Sequence, residues 1–82
     1  MPSTTEAPAD PNLQTLRDAM QAHGAGQLDV AETLYRQVLT AVPRHPDALH
    51  LLGVLEAQRG HQDLAAELIA QAIAVNPDEA MF

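Results

Sequence analysis

Four histidines, His23, His45, His50 and His61, are the residues of this chain most suited to proton transfer or metal binding. A metal site built on a helix needs ligands three or four residues apart on one face. His45 and His50 are five apart and straddle an expected helix start, so they read as turn and surface histidines, with His45-Pro46 in a linker. Acid–base catalysis by carboxylates would need them held in a water-poor cleft. Asp29, Glu32, Asp63 and Glu67 fall on helices expected to face outward, where they read as a solvated face. No G-x-S-x-G nucleophile motif occurs. Gly24 and Gly26 lack the third glycine of a phosphate loop and follow a helix, not a strand. The expectation is a chain that is not an enzyme and has no metal and no cofactor.

Composition narrows the partners. The chain has 82 residues, enough for one small domain. Eleven acidic residues face four basic ones, for a net charge of −7. The basic residues, Arg17, Arg36, Arg44 and Arg59, are scattered. Phosphate-backbone binding needs a basic patch, so no nucleic acid is expected, and an anionic membrane surface is disfavoured for the same reason. Tyr35 and Phe82 are the aromatics, too few for a base-stacking platform. Cysteine is absent, which excludes disulfides and thiolate metal sites and is equally compatible with cytoplasm or periplasm. No stretch approaches the ~20 apolar residues of a membrane span. The opening Met1-Pro2-Ser3-Thr4-Thr5-Glu6 lacks the basic and apolar regions of a signal peptide, so with Met1 as the natural start a cytoplasmic location is expected.

The elements that would position these residues are helical. Alanine and leucine dominate the apolar fraction, and β-branched runs are lacking. Residues 1–11 carry Pro2, Pro8 and Pro11 without periodicity and read as a disordered lead-in. From about Asn12 to His23, Leu13, Leu16, Ala19, Met20 and Ala22 recur at helical spacing until Gly24-Ala25-Gly26 intervenes. A second helix runs from about Leu28 to Ala41 with a face of Val30, Ala31, Leu34, Val38 and Leu39, Tyr35 lying alongside; Pro43 ends it. A third runs from Pro46 or Asp47 to Arg59. Leu49, Leu51, Leu52, Val54 and Leu55 cover most of its circumference, so it should be buried on more than one side. A fourth, from Gln62 or Asp63 to Val75, shows Leu64, Ala65, Leu68, Ile69, Ala72 and Ile73. Asp78 to Phe82 look like the opening of a fifth helix cut short.

The sequence matches itself at a shift of 34 residues. Gly26 falls on Gly60, Asp29 on Asp63, Ala31 on Ala65, Leu34 on Leu68, Tyr35 on Ile69, Val38 on Ala72 and Pro43 on Pro77. Two helices per period of 34 is the tetratricopeptide length. The second unit, with Leu49, Leu52-Gly53, Gly60, Ala65, Ile69, Ala72 and Pro77, resembles a tetratricopeptide repeat. The small residues Gly53, Ala65 and Ala72 would let two helix axes approach closely, Ala65 beside Gly53 and Ala31 beside Ala19. The first unit departs at Thr15 and Asp18, where the family prefers large apolar residues, and at Ala19, which replaces the glycine. A polar face there suits a capping repeat. The stretches around His23-Gly24-Ala25-Gly26 and His45-Pro46-Asp47 are also similar to the leading repeats of large bacterial tetratricopeptide proteins, some of which continue into transferase domains.

The resemblance implies an all-α chain, an α-solenoid of about two antiparallel helix-turn-helix pairs, 12–45 and 46–79, with residues 80–82 starting a third. It also implies that the first helix of each pair lines a concave face. That face would show Leu16, Met20 and His23 from the first unit and Asp47, His50, Val54, Ala57 and Gln58 from the second. Some family members clamp a chaperone's terminal carboxylate with lysine, arginine and asparagine, none of which stands at these positions, so a carboxylate clamp is disfavoured. The expected function is a protein-interaction scaffold holding a peptide or helix. The alternatives are a structural or oligomerising segment, or a substrate-guiding domain of a larger transferase. Self-association is expected through Leu68, Ile69, Ile73, Val75, Met81 and Phe82 on and beyond the fourth helix.

Overall fold

Two glycines set the chain's geometry. Gly26 and Gly60 adopt φ of 81° and 86°, the left-handed region where a Cβ is costly. Each closes a helix in the same way. The Gln27 N–H donates to the Ala22 carbonyl at 2.9 Å and the Gly26 N–H to the His23 carbonyl at 3.1 Å. One period later the His61 N–H donates to Glu56 at 2.8 Å and the Gly60 N–H to Ala57 at 3.1 Å. This pair of bonds is the Schellman motif, and it satisfies carbonyls that the helix end would otherwise leave bare.

The computed structural model describes residues 11–75. Four helices follow in order: α1 Pro11–Gly24, α2 Leu28–Ala41, α3 Pro46–Gln58 and α4 Gln62–Val75, with no strand among the described residues. The bounds agree with the spacing of apolar residues to within a residue or two. Pro11, assigned above to the lead-in, is the first residue of α1, where its missing N–H costs no hydrogen bond. The remaining lead-in and the start of a fifth helix, with Met81 and Phe82, lie outside the described residues. His45, read above as a linker residue, caps α3: its Nδ1 accepts from the Ala48 N–H at 3.2 Å, ahead of Pro46.

The helices pack as two pairs, α1 on α2 and α3 on α4, joined chiefly through α2 and α3. Leu16, Ala19, Ala31, Tyr35 and Val38 are buried in the first pair, and Ala48, Leu49, Leu52, Leu55, Ala65, Leu68 and Ala72 in the second. As its all-round apolarity requires, α3 carries the most buried positions of any helix. Leu52 and Leu55 are 0% exposed, and burying such a side chain stabilises the fold by about 1.5–3 kcal/mol. Gly53 lets α4 approach: a Cβ there would lie 2.7 Å from Ile69 Cγ1 and 3.2 Å from the Ala65 carbonyl oxygen.

Three expected faces shift. Tyr35, placed beside the apolar stripe of α2, is at its centre with no exposure, while Val30 of that stripe is 49% exposed. Leu13 does not join Leu16 in the core of α1 but is 44% exposed. Leu68, expected to remain uncovered for self-association, is buried between α3 and α4.

Candidate functional site

The residues expected on the concave face divide by burial. Leu16 is 5% exposed and belongs to the core, because it lies on the side of α1 that meets α2; it offers no surface to a partner. Met20, 48% exposed, does. On α3, Asp47, His50 and Gln58 are exposed, and Val54 and Ala57 are half-buried. Their spacings of three and four keep them on one side of the helix. Leu13 joins Met20, seven residues along α1, and was missed because its apolar type suggested core. The signal available was that seven-residue spacing, which gives both residues one helical direction.

His23 is not free for a ligand. Its ring stands edge-on to Tyr35, with centroids 5.9 Å apart and planes at 79°. Gln58 Oε1 lies 2.6 Å from its Nε2 and the Tyr35 hydroxyl 3.0 Å from its Nδ1. With Gln58 presenting its carbonyl oxygen, Nε2–H donates to it, and Nδ1 then accepts from the Tyr35 hydroxyl. The buried hydroxyl thereby has an acceptor, and burial pushes the phenol up from its ordinary value. The three residues come from α1, α2 and α3, so the relay ties the two helix pairs together.

A second cluster at the same junction was not foreseen. Glu56 is 1% exposed, a charged residue buried on α3 among leucines. Its Oε1 accepts from His61 Nδ1 at 2.6 Å. The turn geometry makes this contact, because a Schellman motif brings the residue after the glycine against the one five positions before it. Glu56 Oε2 accepts no hydrogen bond, and Arg36 Nη2 lies 3.6 Å away. Arg36 also reaches Glu32 at 3.1 Å, while Arg59 bridges Asp29 at 2.7 Å and Glu32 at 3.4 Å. Asp29 and Glu32 are therefore not simply a solvated face: they hold arginines that serve the junction. Burial pushes the Glu56 carboxyl up, but the His61 hydrogen bond, the neighbouring Glu32 carboxyl and the charges of His61 and Arg36 outweigh it and hold the group below its ordinary value. The Arg59 guanidinium is raised, chiefly by its hydrogen bond to Asp29.

Among the described residues no group of three or more histidines and acids is placed to hold a metal ion, and no helix is long and apolar enough to cross a membrane.

Comparison with known proteins agrees with the helix-pair geometry. The chain is 38% identical over 74 residues to cellulose synthase operon protein C of Xanthomonas axonopodis pv. citri (strain 306), a match covering 90% of this chain and 5% of that relative. It is 30% identical over 73 residues to the protein of the same name from Komagataeibacter xylinus, covering 89% of this chain and 6% of the relative. The chain thus spans a small fraction of the length of the curated relatives it matches. No solved structure matches it at a significant level. The family model for the tetratricopeptide repeat matches residues 22–82, from the end of α1 through α4 and beyond, and with the two glycine-closed helix pairs this places the chain in the tetratricopeptide repeat family.

Proposed function

We propose that this chain is a protein-interaction scaffold module that holds an extended peptide or a helix along the exposed sides of α1 and α3. Tetratricopeptide repeats generally mediate protein–protein interaction, and the finer reading rests on one observation. Two large apolar side chains, Leu13 at 44% and Met20 at 48%, are exposed two turns apart on α1. Val54 and Ala57, half-buried on α3, extend the apolar surface; Asp47, His50 and Gln58 give it a polar border. A ligand with apolar anchors at helical spacing, or alternating along an extended segment, suits such a strip. No catalytic role is part of this reading. The two relatives are named for a cellulose synthase operon, so proteins of a cellulose-synthesis system are the first partners to screen.

The test is an amide-resolved NMR titration with peptides selected against the chain from a random library. The expected result is a set of shifts at Leu13, Met20, His50 and Val54, with Met20→Glu and Val54→Glu each weakening binding about tenfold or more. Shifts confined to α2 and α4, with affinity unchanged in both variants, would refute the reading.

A second reading, self-association through α4, is supported by Ile73, 44% exposed beside half-buried Ile69 and Val75. Sedimentation equilibrium decides it: association weakened by Ile73→Glu supports it, and a monomer at all concentrations ends it.

A further inference from the structure

The Glu56 cluster belongs to one junction alone. Shifted forward by 34 residues, Glu32 and Arg36 of α2 fall on Ala66 and Ala70 of α4. Shifted back, Glu56, Arg59 and His61 fall on Ala22, Ala25 and Gln27. Neither outward face of the described helices repeats the ionic set, whereas the glycines and small residues around it do repeat. The cluster is thus an addition to the repeat, placed where the first helix pair meets the second.

Its position concentrates its effect. The buried apolar residues of the two pairs run together in one cluster, but the α2–α3 contact joining the pairs is less extensive than the contacts within them. Every charge facing Glu56 comes from this junction: Asp29, Glu32 and Arg36 from α2, Arg59 from the end of α3, and His61 from the turn before α4. Among the described residues no ion pair reaches it from α1 or α4; Asp63 and Glu67 on α4 are exposed. His61 Nδ1–H can donate to Oε1 whether or not the ring is charged. The charge enclosed by the junction is that of the Glu56 carboxylate, whose side chain is 1% exposed against 50% for Arg36 and 56% for His61.

We propose that the Glu56–His61–Arg36 cluster is an acid-released latch that fixes the angle between the two helix pairs. With Glu56 ionised, Arg36 reaches it across the junction from α2 while His61 holds the carboxylate in place from within the second pair, and the pairs are held in one orientation. With Glu56 protonated, Arg36 loses the buried negative charge it faces across α2 and α3, and the attraction between the pairs weakens. Because the native carboxyl is held below its ordinary value, the stabilisation is fully present above the ordinary carboxylate range. It is lost as pH falls through the lower, native value. The helices, each packed within its own pair, outlast the latch. Release changes the spacing of α1 and α3 and so reshapes the strip that carries Met20 and Val54. The latch stands whether or not that strip binds a peptide, since its readout is an angle and not an affinity.

Electron–electron distance measurement tests this directly. The chain has no cysteine, and Gln37 on α2 and Gln71 on α4 are exposed at equivalent positions of the two pairs. Spin labels on Gln37→Cys and Gln71→Cys should give a narrow distance distribution at neutral pH. The distribution should shift and broaden as the solution is acidified, while the far-ultraviolet helical signal persists. Glu56→Gln, which keeps the shape without the charge, should show the shifted distribution already at neutral pH and no further change on acidification. A wild-type distribution that stays fixed until the helical signal is lost overturns the proposal, and that arm holds even if the variant does not fold. A folded Glu56→Gln chain with the wild-type distribution and the wild-type response to acid overturns it equally.

Discussion

At the residue scale, glycines of the same type have opposite consequences. Gly53 lies inside α3, where alanine would be the better helix former by about 1 kcal/mol. Yet an added Cβ would meet Ile69 Cγ1 at 2.7 Å and the Ala65 carbonyl at 3.2 Å. A backbone oxygen cannot swing aside, so Gly53→Ala should overpack the second pair and destabilise it by ~1–3 kcal/mol. Gly24, the last residue of α1, has nothing within 4 Å of the same virtual atom and no positive φ. Gly24→Ala should stabilise the chain by ~0.4–1 kcal/mol, mainly by restricting the unfolded chain. Urea midpoints moving in opposite directions for the two variants would confirm this; midpoints moving together would mean that packing at Gly53 is not what decides. Tyr35→Phe should cost ~0.5–1.5 kcal/mol, because it strips His23 Nδ1 of its donor while keeping the buried ring. The side-chain amide resonances of Gln58 should report the loosened relay. A phenylalanine variant with wild-type stability and unchanged Gln58 signals would show that the relay contributes nothing.

At the scale of elements, what was legible in the sequence was what repeats. Gly26 and Gly60 fall 34 residues apart and sit in the same left-handed conformation, so the turns and helix ends could be read from the period. The faces of α3 followed from its all-round apolarity. What did not repeat was hidden. Glu56 looks like one polar residue among leucines, and its burial depends on three partners from another helix and a turn. A local signal did exist: glycine at Gly60 fixes His61 as the residue folded back onto Glu56. The equivalent pair in the first repeat, Ala22 and Gln27, carries no charge. Leu13 and Leu16 were misassigned to each other's surroundings because residue type alone does not say which side of α1 meets α2. The His61–Glu56 contact yields a prediction of its own. A double-mutant cycle of His61→Ala and Glu56→Ala should give a coupling of ~0.5–3 kcal/mol at neutral pH. The lower half of that range is expected, since the His61 side chain is 56% exposed. The coupling should fall as pH drops through the depressed native value of Glu56, because the hydrogen bond then lacks the carboxylate's charge. Coupling that is absent at neutral pH, or unchanged in acid, would show that the contact is incidental.

At the scale of the whole molecule, stability should be graded along the row of helices. In a repeat protein each unit touches only its neighbours, so stability is close to a sum of unit and interface contributions. α3, like α2, has company on both sides: α4 packs on it within the pair, and α2 meets it across the junction; it carries the most buried positions of the four. Leu49, Leu52 and Leu55 are almost wholly enclosed, and so are Gly53 and Glu56. α1 touches α3 only slightly and relies on α2, and its exposed Leu13 and Met20 add nothing to its hold. Native-state hydrogen exchange should therefore find the slowest amides in α3, around Leu52 to Glu56, exchanging near the global unfolding limit. Protection should fall through α2 and be lowest in the first turns of α1. Acid should change this order in one place. As Glu56 protonates, α2 amides facing the junction, near Arg36, should lose protection relative to α3, while those facing α1 keep theirs. Release of the junction leaves the more extensive contacts within each pair in place. If α1 instead outlasts α3, or if acid lowers all four helices in step, the chain unfolds as one block and the two pairs are not separable units.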